Sequence, residues 1–167
     1  MKKGSALCVL VILLVLMMTG CGMTVPRPEI KSEEFNFSVT YEHGGETKTV
    51  SGVFVCEYAG TSWTLDGWYS RDWTGYIQGG ELEDHVPIDT VDGNEIILVL
   101  NLDPEYLMDD FNADLYDIPK PYIMVKMVND EGMWFVHDPG EIEEYCGAKI
   151  ISYDYDEPIE NSFGLFK

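Results

Sequence analysis

Residues 35–58 read FNFSVTYEHGGETKTVSGVFVCEY, and this stretch decides the fold. Phe35, Phe37, Val39 and Tyr41 alternate with Asn36, Ser38, Thr40 and Glu42, a period of two that predicts a half-buried strand. Gly44-Gly45 supplies a turn, and Thr47 to Tyr58 returns as a second strand rich in β-branched residues, with Gly52 placed for a bulge. A sheet with one apolar face must bury it against a second layer, so the pair predicts one half of a layered domain.

The neighbouring segments repeat the pattern. Ala59-Gly60 reads as another turn, and Trp63 to Ile77 as one long or two short strands. Val86 to Val91 contains Pro87, which confines it to a sheet edge, and Asp92-Gly93 is a hairpin turn into Glu95 to Leu102. The unbroken apolar run Ile96 to Leu100 suits a central strand. Asp103-Pro104 opens a short helical turn through Met108, and an acidic loop follows it. Tyr122 to Val128 and Met133 to Val136 predict strands around an Asn129–Gly132 turn. Asp138-Pro139-Gly140-Glu141 is a capping box for a helix that runs to about Cys146 and stops at Gly147. Lys149 to Asp156 is the last strand, with Ile151, Tyr153 and Tyr155 expected on one face. Eight or so short strands with two short helices predict a mainly β fold, an antiparallel β-sandwich over residues 35–157, with an open α+β sheet as the alternative. Residues 158–167 read as a C-terminal tail.

Composition narrows the function. Thirty acidic residues stand against ten basic ones, a net charge of -20, so the chain offers no basic face to a phosphate backbone and nucleic acid is excluded as a partner. The 21 aromatic residues provide enough apolar surface for a folded core despite that charge.

Residues 1–20 form a leader: Lys2 and Lys3 give a positive start, Ala6 to Met18 are almost wholly apolar, and Thr19-Gly20 are small. The apolar stretch is shorter than the ~18–20 residues a spanning helix needs. Met18-Thr19-Gly20-Cys21 resembles the lipobox of bacterial lipoproteins, with Met18 where that family prefers leucine. The resemblance implies lipid attachment to the Cys21 thiol, cleavage just before it, and a protein held at the extracytoplasmic face of the cell membrane. The exported part then carries eight bases and all 30 acids, a charge of -22. Residues 21–34 would be the lipidated cysteine and a flexible tether, about 40 Å long if extended at ~3.1 Å per residue. The remainder resembles small cell-surface lipoproteins in architecture alone, which implies no activity.

Candidate sites are few. No nucleophile elbow, phosphate loop or zinc spacing occurs, and His43, His85 and His137 lie far apart in sequence. Cys56 and Cys146 remain once Cys21 carries lipid, and export permits them to pair; two separate buried thiols are the alternative. Trp63, Trp68 and Trp73 form an aromatic stretch that serves either the core or a sugar-binding platform. Asp109, Asp110, Asp114 and Asp117 belong to the acidic loop, which is either solvated or a calcium site. No other cofactor is expected. These features predict a monomeric, non-catalytic binding or structural domain anchored through lipid, whose partner is a glycan or a protein. A small envelope hydrolase using paired carboxylates is the competing class.

Overall fold

The computed structural model describes residues 25–63, 69–80, 84–110, 120–129 and 132–164. It contains two four-stranded antiparallel sheets and a two-stranded ribbon. The ribbon joins β1 (Arg27–Pro28) to β10 (Phe163–Gly164). The first sheet has the order β4-β3-β2-β9, from β2 (Ser32–His43), β3 (Glu46–Trp63), β4 (Tyr69–Ile77) and β9 (Lys149–Tyr155). The second runs β5-β6-β7-β8, from β5 (His85–Val91), β6 (Asn94–Val99), β7 (Tyr122–Asn129) and β8 (Gly132–Val136). Among the described residues the helices are α1 (Pro104–Leu107) and α2 (Pro139–Cys146). No described helix is long and apolar enough to cross a membrane.

The alternation in residues 35–41 is what joins the layers. Phe35, Phe37, Val39 and Tyr41 point inward from β2 and share one core with Phe54 and Cys56 of β3, Ile96 and Leu98 of β6, and Ile123 and Val125 of β7. Two sheets meeting across one core is the sandwich, not the open α+β sheet. β6 is interior and β5, with Pro87, lies at an edge, as the apolar run and the proline require. Asp92 and Gly93 both take positive φ, 51° and 82°, the backbone that a tight hairpin between β5 and β6 demands. At both helix starts the expected aspartate accepts from the first turn: Asp103 from the Glu105 N–H, and Asp138 from those of Gly140 and Glu141.

Four expectations are corrected. Ala59-Gly60 does not turn the chain; β3 continues to Trp63, with a register shift between Tyr58 and Gly60 and φ of +129° at Gly60, which is a bulge. Gly52 is not a bulge: it pairs in register with Phe37, and a Cβ there would lie 3.0 Å from the Phe37 ring. The alternation of the last strand breaks because the β2–β9 register shifts between Thr40 and Tyr41. Ile150 faces Tyr41 and packs on the core, while Ile151 is left exposed. The domain also extends beyond 35–157. β2 begins at Ser32, residues 27–28 pair with 163–164, and the Ile159 N–H donates to the Leu107 carbonyl, so half of the expected tether and most of the expected tail are built in.

Gly75 sits where α1 meets the first sheet. A Cβ there would lie 2.3 Å from Phe54 Cζ and 2.6 Å from Pro104 Cγ, both in packed surroundings. Gly75→Ala should therefore destabilise the domain by about 1–3 kcal/mol through overpacking, read as a lower urea midpoint at unchanged m-value, whereas Thr74→Ala on the exposed face should be close to neutral.

Candidate functional site

Along β4, Tyr69, Arg71, Trp73, Gly75 and Ile77 share one face by strand alternation. Trp73 and Ile77 pack on the core; Arg71 and Tyr69 lie beyond it, toward the β3–β4 end. Asp109, just after α1, takes φ of +53°, and Asp110 follows it toward β4. The Asp110 side chain is 5% exposed. One of its oxygens accepts from Nε and Nη2 of Arg71 and the other from the Trp73 indole N–H. Burial of a carboxylate is costly without such partners, so this contact fixes α1 to β4.

Arg71 also ties down both ends of the described chain. Its Nη1 donates to the Pro26 carbonyl at 3.2 Å, and its guanidinium lies 4.2 Å from the Phe163 ring centre. Asn161 completes the join: its side-chain amide exchanges bonds with the N–H and carbonyl of Ile30, at 3.1 and 3.0 Å, and its own N–H reaches Asp109 Oδ2 at 3.3 Å. The Glu105 carboxyl nearby is pushed above its ordinary range by burial and then by Asp103, Asp110 and Asp72, with Arg71 opposing.

The three tryptophans do not assemble into one platform among the described residues. Trp73 is half-buried, bonded to Asp110 and packed edge-to-face on Tyr58 at 5.5 Å. Trp63 is 62% exposed at the end of β3, beside Tyr69, which is 45% exposed; the ring centres are 4.8 Å apart and the planes 86° apart. Trp68 lies outside the described residues, as do Asp114 and Asp117. Asp109 and Asp110, the other half of the calcium candidate, are occupied by Asn161, Arg71 and Trp73. No group of three or more His, Cys, Asp or Glu side chains among the described residues could hold a metal ion.

Cys56 and Cys146 are free thiols, the alternative to the disulfide that the sequence left open. Cys56 pairs with Gly75 inside the sheet, and burial followed by Asp103 pushes its thiol up to about 12. Cys146 closes α2, on the side of Asp89, and its thiol donates to the Ile142 carbonyl at 3.3 Å; burial is also the main cause of its raised pKa.

Sequence reading missed two features. Arg71 was legible in principle, as the only base between Trp63 and Ile77 in a chain whose acidic loop lacks one. His43 carried no signal beyond its place at a strand end. Its Nε2 lies 2.6 Å from Asp89 Oδ2 and links the two sheets, while its Nδ1 is buried without a partner. A cleft of about 430 Å³ opens between the ends of β4 and β5, walled by Phe37, Val50, Ile77, Val86 and Pro87, with His85 at its side.

No protein-family model, curated protein or solved structure matches the chain.

Two predictions follow from this geometry. Asp110→Asn removes the charge that compensates the partly buried Arg71, and should lower the unfolding free energy by about 3–5 kcal/mol in denaturant titration. The second concerns Asp89, whose carboxyl is held below its ordinary range by the Thr90 N–H and then by His43. A depressed folded pKa contributes stability above the unfolded value, ~3.9, and loses it as pH falls through the folded value. Below ~pH 4 the urea midpoint of wild type should therefore fall more steeply than that of Asp89→Asn.

Proposed function

We propose that the chain is a lipid-anchored bacterial lipoprotein at the extracytoplasmic face of the cell membrane, with its β-sandwich acting as a non-catalytic binding or structural domain. The observation that carries this reading is the placement of Pro26, Arg27 and Pro28. The chain leaves the lipobox-like Met18–Cys21 segment and within six residues is bonded to Arg71 and paired with Phe163–Gly164. A domain built directly onto the end of its tether suits attachment at Cys21. The reading of the domain as non-catalytic draws on how its polar groups are used. Asp110 is engaged by a basic partner and an indole. The Tyr155 and Tyr145 hydroxyls donate to the carbonyls of Leu100 and Val91 at 2.8 and 3.1 Å. Asp103 and Asp138 cap helices. These groups hold the sandwich together, and the buried Asp110 has the cationic neighbour that a carboxylate kept protonated as a general acid would lack.

Cys21→Ser removes the lipid-accepting thiol. The variant should stay uncleaved and unlipidated, while mass spectrometry of the wild-type N-terminus should find a lipid-modified Cys21 as the first residue. An unmodified wild-type cysteine overturns the proposal.

A further inference from the structure

We infer that the β3–β4 face bearing Trp63 and Tyr69 rests in the lipid headgroup layer beside the Cys21 anchor, an inference that stands on the lipoprotein reading above. The first support is position. Arg71 is two residues from Tyr69 on the same face of β4, and its side chain holds the Pro26 carbonyl. The point from which the chain runs back toward Cys21 is therefore next to this face.

Length is the second. Only four residues, five steps along the chain, separate Pro26 from Cys21, and at 3.3–3.6 Å per step the span is at most about 18 Å even when fully extended. A domain of about 140 residues has a radius of gyration of about 14 Å, so the tether is shorter than the domain is wide. The Pro26 side of the domain is therefore held within about 18 Å of the anchor. The sequence expectation of a 40 Å tether is shortened because residues 27–28 and 32–34 are strand and Ile30 between them is bonded to Asn161.

Chemistry supplies the third. Trp63 and Tyr69 are the exposed aromatic pair at this end of the sheet, and both residue types favour the boundary between water and hydrocarbon, where the ring is desolvated and the polar tip stays wet. The Arg71 charge next to them is engaged by Asp110 and is not offered to anionic headgroups. With a net charge of -20 on the whole chain, a zwitterionic surface fits better than an anionic one.

The test uses the full lipidated protein reconstituted into phosphatidylcholine vesicles whose acyl chains are brominated close to the headgroup, at ~0.15 M salt where the Debye length is about 8 Å. Bromine quenching of tryptophan fluorescence is compared between wild type and Trp63→Phe, with N-terminal lipidation verified by mass in both. Most of the quenched intensity should be lost in Trp63→Phe. Equal quenching in the two lipidated proteins overturns the inference and leaves the anchoring reading intact. Relief of wild-type quenching by soluble oligosaccharide, with the vesicles still carrying the protein, would mean that the face takes a glycan, and also overturns it. Absence of the lipid on Cys21 removes both readings together.

Discussion

The carboxylate of Asp110 is the constraint on which the arrangement of the β4 end depends. A buried anion must find compensating donors, and it finds them on β4, from Arg71 and Trp73. Arg71 then has one nitrogen left for Pro26 and one flat face for Phe163, which brings the start and finish of the domain to the same strand. A single acid thus sets where α1 sits and where the terminal ribbon docks. Replacing the pair with apolar residues of similar volume could preserve packing, but the Pro26 carbonyl would lose its donor.

The sheet edges show a second theme. β5 carries Pro87 and a register shift between Pro87 and Asp89; β9 carries the shift that leaves Ile151 exposed; β8 is only five residues long. Each device interrupts the regular row of backbone groups that would otherwise pair with another chain. Lys149 on β9 bonds Glu42 and Glu143, adding a charge at that edge. Such interruptions oppose edge-to-edge association between copies of the chain.

The local physics of strands and caps was legible in the sequence. Period-two alternation at 35–41, the Asp92-Gly93 turn, Pro87 at an edge and the Asp138 cap all act within a few residues, and all are found where expected. What failed depends on contacts between distant segments. Gly52 and Gly60 carry the same local permissiveness, yet one makes room for the Phe37 ring and the other forms a bulge. Elimination left a Cys56–Cys146 pair open, but one belongs to the first sheet near Asp103 and the other to α2 near Asp89. The sequence left Asp109 and Asp110 as either solvated or calcium-binding because their partners, Asn161 and Arg71, lie 52 and 39 residues away.

The pairing of β1 with β10 also imposes an order of events. A polypeptide is made from its N-terminus, so Arg27 and Pro28 exist long before Phe163 and Gly164, and the ribbon closes only when almost the whole chain has emerged. Until then the segment ahead of β2 lacks the strand partner and the Asn161 amide that hold it in the finished domain. Emergence of the last strand therefore fixes the first one, and the N-terminal edge of the sandwich is the final part to close.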